Sequence, residues 1–253
     1  MSVCRLVLDG RHDSRANMAR DSAMFRSVAS GCSAGVLRIY NWSEPAVTFG
    51  FHQRAFIPFD PGVDIPLLRR PTGGGAVLHT NDFTFSLCAP LAGVFARDVV
   101  ESCRTLTRTF ARALKQCAIE VEMHGHGAAY SRVCFQRSSP VELCLNGAKI
   151  LGLSALRTRH GMLLQGVIPL TVDAGLSRRV FGTEGDPGLK GIRDHAPDFR
   201  EAEFIGCLVD AFASEMDLFL SQGHDHDGQQ HHDDERKVYL RREQPGHERL
   251  SED

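Results

Sequence analysis

Three consecutive glycines, Gly73, Gly74 and Gly75, stand between Arg69-Arg70-Pro71-Thr72 and Ala76-Val77-Leu78-His79. Successive glycines let a backbone approach a ligand closely and turn its amides toward it. The segment after the glycines limits the fold. A dinucleotide-binding turn and a P-loop both need a helix directly after them, and the P-loop also needs a Gly-Lys-Ser/Thr ending. Here the next patterned segment, Phe83 to Leu87, alternates as a strand, and no such lysine closes the triplet. Nucleotide loops of the doubly wound kind are excluded. The two arginines before the glycines and the histidine after them favour a ligand loop over a flexible turn.

The rest of the pattern agrees with an α+β fold. Helical periodicity runs from Asn17 to Ala29, with Asn17 as a plausible N-cap, from Val99 to Cys117, and from Glu201 to Leu220, where Phe204, Leu208, Phe212, Met216 and Phe219 share a face. Strand-like runs cover Val36 to Tyr40, Ala46 to Gly50, Ile65 to Arg69, Phe83 to Leu87, Ile119 to Met123, Val141 to Leu145, Lys149 to Leu156 and Met162 to Leu170. Asn146-Gly147 is a strong hairpin signal and His160-Gly161 a weaker one. Consecutive strands joined by short turns predict a mixed, largely antiparallel sheet with three main helices packed on it.

A chain of 253 residues with 42% hydrophobic content can bury a sizeable core in one domain, here expected over residues 1–220. From Ser221 the composition turns to His, Asp, Gly and Gln, which predicts a disordered His/Asp-rich tail over 221–253. Its histidines and aspartates lack the fixed spacing of a built metal site, so no metal is expected. A net charge of -2 offers no basic field for nucleic acid. Met1 to Arg5 begins no signal-type apolar stretch, and nowhere do about eighteen apolar residues run together, so the expected setting is cytoplasmic, without a membrane. Eight cysteines, none in a Cys-x-x-Cys pair, read as reduced thiols.

Two further residues draw attention. Lys149 lies just past the Asn146-Gly147 turn among apolar neighbours, and apolar surroundings favour the neutral amine that a proton-transferring lysine needs. Cys134 lies in Val133-Cys134-Phe135, upstream of that hairpin. Taken alone, each also fits a bland role, a solvated lysine and a small core thiol.

Together these segments resemble the lipoate-protein ligase and octanoyltransferase family. Arg69 to His79 resembles its signature glycine loop, and Gly147 to Ala155 its Gly-x-Lys-Ile-x-Gly-x-Ala segment. Further matches are Asn17-Met18-Ala19 with Asp21, Leu37-Arg38-Ile39-Tyr40-Asn41-Trp42, and Gly50-Phe51-His52-Gln53. The resemblance runs from about Arg5 to Leu220 in the family's motif order. It implies a biotin/lipoate-ligase-like catalytic domain that attaches an octanoyl or lipoyl group to a lysine of a lipoyl domain. The implied substrate-binding residues are Arg70, Gly73, Gly74, Gly75, His79, Gly152 and Ala155, with Lys149 at the reacting carbonyl or phosphate. An eight-carbon chain in a tunnel gives roughly 5 kcal/mol at about 0.8 kcal/mol per methylene. The chain departs from the family pattern at Thr80, where Asp is common and where this chain has Asp only at position 82. It departs again at Gln165-Gly166, where many members have His-Gly, and at Val141-Glu142, where the ligases often have Asn-Asp.

Two chemistries share this family. A ligase makes an acyl-adenylate from free lipoate with ATP and Mg. A transferase takes the acyl group from acyl carrier protein onto a cysteine and needs no cofactor. The position of Cys134 resembles that of the nucleophile in cysteine-dependent octanoyltransferases, where a cationic or proton-accepting Lys149 nearby would favour the thiolate. The transferase is the favoured expectation, the ligase the alternative, and a catalytically silent acyl-binding protein a third reading.

Overall fold

The computed structural model describes residues 2–54, 56–124, 141–182 and 189–222. Cys134 and residues 223–253 lie outside them. The main sheet has six strands in the order β10-β11-β6-β2-β1-β12: Gly152–Arg157, Gly161–Thr171, Asn81–Pro90, Gly35–Trp42, Ser2–His12 and Leu218–Gln222. The first four pair antiparallel, whereas β1 is parallel to both β2 and β12, so the sheet is mixed. Two three-stranded sheets complete the described strands. One is β4-β3-β5 (Leu67–Arg69, Ala46–Phe49, Val77–His79) and the other β7-β8-β9 (Glu122–His124, Glu142–Leu145, Ala148–Lys149).

Strand alternation divides the core between the two faces of the main sheet. On β6, Phe83, Phe85, Leu87 and Ala89 point to one face, where they meet α2 (Val99–Gln116) and α4 (Glu201–Met216). Phe110 of α2 stacks on Phe85 with ring centres 4.4 Å apart, and Phe204 of α4 meets Phe83 edge-on at 5.2 Å. Cys88 points the other way, into a smaller cluster with Val7, Val36, Leu163 and three residues of α1 (Ser14–Ala29), namely Met24, Phe25 and Val28. The sheet is thus covered on both faces, and α1 covers the face that carries the site.

Local chemistry explains where the elements begin and turn. Asp98 caps α2 by accepting from the Glu101 amide at 2.8 Å, and Asp13 caps α1 by accepting from Ala16 at 2.7 Å. The cap of α1 is therefore Asp13 and not Asn17, which is buried one turn into the helix. In the β8–β9 hairpin, Asn146 and Gly147 have φ of 50° and 79°, the pair of positive angles that a two-residue turn matching strand twist requires. The helix expected over Glu201 to Leu220 stops at Met216. Asp217 turns left-handed with φ 53°, and Leu218–Gln222 forms β12 beside β1, which carries regular structure through Ser221 and Gln222. The segment expected as one strand over Lys149 to Leu156 is divided into β9 and β10. A fourth helix, α3 (Ala174–Phe181), has no counterpart among the sequence expectations. Among the described residues no helix is long and apolar enough to cross a membrane.

Candidate active site

Strand register lays three rows of side chains across the face that α1 covers. The outermost is apolar: Leu156, Leu163, Cys88 and Val36 are successive Cα partners on β10, β11, β6 and β2. The next is polar, with Ser154, Gln165, Ser86 and Arg38 in the same order. Asp21 of α1 comes down onto this second row. Its carboxylate accepts from Arg38 Nη1 at 2.8 Å, Ser86 Oγ at 2.7 Å, Tyr40 Oη at 2.9 Å and Gln165 Nε2 at 2.6 Å. Arg38, fully buried, also donates to Asp9 at 2.6 Å and to the Asn17 amide oxygen at 2.7 Å, and its guanidinium lies 3.8 Å over the Tyr40 ring centre. Burial works against the Arg38 charge, but Asp21 and Asp9 outweigh it and hold the guanidinium protonated. Burial also pushes the Tyr40 hydroxyl well above its ordinary pKa, helped by Asp21, so it remains a donor.

The third row, Gly152, Val167, Thr84 and Tyr40, is the floor of a cavity of about 350 Å³ including its mouth. Met18, Trp42, Val77, Leu153, Thr48, Arg70 and His79 line the rest. Apolar walls with a few convergent polar groups suit an apolar chain carrying one polar end. His79 stacks on Trp42 with ring centres 3.9 Å apart and is held by Thr48 Oγ1 at 2.9 Å and Asp82 Oδ2 at 2.8 Å. A second hollow, about 400 Å³ including its open mouth, lies beyond Val77, with Asp82 and Asp173 in its wall.

The glycine loop joins β4 to β5 at the cavity rim and is pinned along its length. The Thr72 carbonyl accepts from the Phe51 amide at 2.9 Å, and Gly73 donates to the Ala155 carbonyl at 3.3 Å. Arg70 Nη2 donates to the carbonyls of Gly73 and Gly75 at 2.5 and 2.8 Å, and Nη1 to that of Thr48 at 3.2 Å. Gly74 needs its freedom, with φ 93°. Gly50 needs its bareness, because a Cβ there would lie 2.1 Å from the Gly74 carbonyl oxygen.

The sequence candidates are therefore placed unequally. Arg70, His79 and Gly152 line the cavity. Gly73, Gly74 and Gly75 are not among the cavity-lining residues; a Cβ on Gly74 would lie 3.7 Å from Ser154, and Ala155 serves the loop through its carbonyl. Lys149 ends β9, three residues before Gly152. Its Nζ is paired with Glu142 Oε1 at 3.2 Å, both side chains nearly buried, and it is not among the cavity-lining residues. Opposite Lys149 in register stands Cys144. Burial and Glu142 raise that thiol despite Lys149, so it is a poor nucleophile. Cys4 and Cys117 are likewise pushed up to about 12, chiefly by burial. Cys134 lies outside the described residues. Sequence reasoning missed Arg38, Ser86, Ser154 and Thr72, although an arginine on the inward phase of an otherwise apolar strand was a readable signal.

Comparison with known proteins supplies the family. Residues 13–213 match the model of the lipoyl protein ligase A/B catalytic domain. The chain belongs to that family. Among curated relatives, octanoyltransferase LipM of Exiguobacterium sp. strain AT1b is 34% identical over 171 residues, covering 62% of each protein. Octanoyltransferase LipM of Oceanobacillus iheyensis is 30% identical over 186 residues, covering 69% of this chain and 66% of that one. The chain thus spans under two thirds of these relatives' lengths. In fold it is similar to a lipoate-protein ligase A bound with ATP, with TM-score 0.74, 19% identity and 95% of both chains covered. A bi-partite lipoate protein ligase from Thermoplasma acidophilum gives TM-score 0.71 at 20% identity, covering 95% and 93%.

Within the lipoyl protein ligase A/B family, two departures of this chain gain a physical account. Thr80 follows the loop histidine, but Asp82, two residues further on, reaches back to His79 Nδ1. Gln165 is no gap in the site, since its amide joins Asp21 to the loop.

Proposed function

We propose that this protein transfers an octanoyl or lipoyl group to a lysine of a lipoyl domain, through a thioester on Cys134. The reading is carried by the likeness to octanoyltransferase LipM relatives at 30–34% identity. The cavity supports it: apolar walls for the chain, and polar groups from Arg70, His79 and Thr48 for its end. Thiolate attack on an acyl carrier thioester forms the Cys134 thioester and expels the carrier thiolate, which takes a proton from solvent. Attack by the neutral acceptor amine then breaks the C–S bond and forms the amide, its one displaced proton passes to solvent or a nearby base, and Cys134 leaves as the thiolate that starts the next cycle. Lys149, anchored by Glu142 outside the cavity lining, is assigned to the acyl carbonyl from the family resemblance, where a cation would stabilise the oxygen as it becomes negative. Acceptor recognition is proposed by analogy with the Thermoplasma ligase, which was solved in a study of it and its E2 lipoyl domain.

The alternative is ATP-dependent ligation of free lipoate, with ATP and Mg as co-substrates, and a silent acyl binder is the third reading. Incubation with octanoyl carrier protein in the absence of ATP separates them. The transferase gains one octanoyl mass that hydroxylamine removes and discharges it onto an apo lipoyl domain. Cys134→Ser abolishes both, Cys144→Ser keeps both, and Lys149→Ala folds but loses about a hundredfold or more in rate. Lipoyl-domain modification that needs ATP and free lipoate and survives Cys134→Ser establishes the ligase instead. Tight octanoate binding with neither reaction leaves the silent binder.

A further inference from the structure

We infer that Gln165 is a positioning residue that ties the glycine loop to the buried Asp21–Arg38 ion pair. The inference rests on the acyl-transfer reading only for what the ordered loop is used for. Its basis is one continuous line of hydrogen bonds. Ser154 Oγ lies 2.8 Å from Thr72 Oγ1, Thr72 Oγ1 donates to Gln165 Oε1 at 2.7 Å, and Gln165 Nε2 donates to Asp21 Oδ2 at 2.6 Å.

The direction of that line is fixed by the charge at its end. An ionised carboxylate only accepts, so Gln165 must turn its NH2 to Asp21 and its carbonyl oxygen to Thr72. Thr72 has one hydroxyl proton, which goes to Gln165, so it accepts from Ser154. Asp21 cannot swing away, because Arg38, Ser86 and Tyr40 hold it. Asp21, Arg38 and Thr72 are fully buried, and water cannot replace a missing partner without cost. Thr72 is the residue directly before Gly73-Gly74-Gly75, and its carbonyl is fixed in turn by Phe51. An amide is the side chain that fits between a carboxylate and a hydroxyl here. A glutamate matches it only while protonated, when its O–H donates to Asp21 and its C=O accepts from Thr72. Once ionised it faces Asp21 with like charge. The titratable groups packed around this position are Asp21 from α1, Arg38 and Tyr40 from β2, Cys88 from β6, and Arg70 and His79 from the loop and β5.

Hydrogen–deuterium exchange of the full chain tests this, read at residues 70–79, corrected for intrinsic rates and compared with α2 in the same molecule. Gln165→Leu and Thr72→Val are expected to raise loop exchange about tenfold with α2 unchanged, and Thr72→Ser, which keeps the hydroxyl, to restore protection. Gln165→Glu is expected to match the wild type's loop protection at pH 5.5 and to fall below it by pH 9.5, with the wild type at each pH as the reference. Because Gln165→Glu at pH 5.5 and Thr72→Ser are near-isosteric, the test survives a failure of Gln165→Leu to fold. Wild-type loop protection in Thr72→Val, or a Gln165→Glu loop that matches the wild type at both pH values, overturns the inference. Octanoyl transfer is assayed alongside. A wild-type protein without transfer counts against the acyl-transfer reading and leaves the exchange result standing. Normal transfer with unaltered loop exchange in the variants counts against Gln165 alone.

Discussion

Asp21 and Asp9 share one buried guanidinium, and this sets how single substitutions behave. Arg38 contributes no exposed surface; it is the cation paired with Asp21, and it shares Asp9 with Arg20 and His12. Arg38→Met preserves volume but leaves the buried Asp21 carboxylate without its cation, while Asp9 keeps Arg20 and His12, and breaking a buried pair on one side costs about 3–5 kcal/mol. Urea unfolding should show a loss of that size; a loss below about 1 kcal/mol would mean that solvent or Arg20 replaces the guanidinium. Asp9 gives the group its pH dependence. Burial raises its carboxyl, but Arg38, Arg20 and His12 together reverse this and hold it below the ordinary carboxylate value. A depressed folded pKa contributes stability above the unfolded value, near about 3.9, and loses it as pH falls through the folded one. Melting temperature should therefore fall between about pH 5 and 3 more steeply in the wild type than in Asp9→Asn. Equal slopes would remove Asp9 from the acid response. Sequence reading reached the loop and Lys149 because glycine runs and turn chemistry are local. It missed Ser86, Ser154 and Thr72 because their meaning lies in register between strands distant in sequence, which no local pattern encodes.

At the scale of elements, β11 serves two faces with alternate residues. Gln165 points toward α1, and its neighbour Gly166 toward α2, where a Cβ would lie 2.2 Å from the Phe85 ring. Phe85 cannot retreat, because Phe110 stacks on it and Phe204 closes behind Phe110. Gly166→Ala therefore overpacks the core, with an expected cost of about 1–3 kcal/mol in chemical denaturation. A neutral result would show that the Phe85–Phe110 stack slides. Periodicity makes α2 legible almost to the residue, since Val99 to Cys117 is expected and Val99–Gln116 is found with Cys117 as its cap. The same method runs α4 four residues too long. Phe219 falls on the helical phase of Phe204, Leu208, Phe212 and Met216, but Asp217 adopts φ 53° and the chain leaves as a strand with Phe219 half exposed. Short α3 offers only eight residues between an Asp cap and Gly182, too few for a period to stand out.

At the scale of the whole molecule, the main sheet joins the first and the last described strands. β1 is parallel to β2 on one side and to β12 on the other, so the last described strand completes the sheet that the first one begins. Parallel pairing of distant segments is invisible to a reading that joins neighbouring strands by short turns, and the expected tail boundary at Ser221 cuts through β12. The strand is not ornamental. Leu220 is buried in the main core, and Ser221 and Gln222 pair with Arg5 and Leu6. Two truncations divide the contributions. A chain ending at Gln222 keeps every described contact, and the His/Asp-rich composition beyond it cannot bury enough apolar surface to add much. Its melting temperature should lie within about 2 °C of the full chain, on the scale of about 2–4 °C per kcal/mol for a domain this large. A chain ending at Asp217 loses the burial of Leu220, worth about 1.5–3 kcal/mol, and leaves the outer edge of β1 unpaired. It should melt several degrees lower and, with Val3 and Leu8 already exposed beside that edge, should self-associate in light scattering. If the chain ending at Asp217 proves as stable and as monomeric as the one ending at Gln222, β12 is dispensable and β1 is a self-sufficient edge. If ending the chain at Gln222 already destabilises the protein, residues beyond Gln222 dock on the domain.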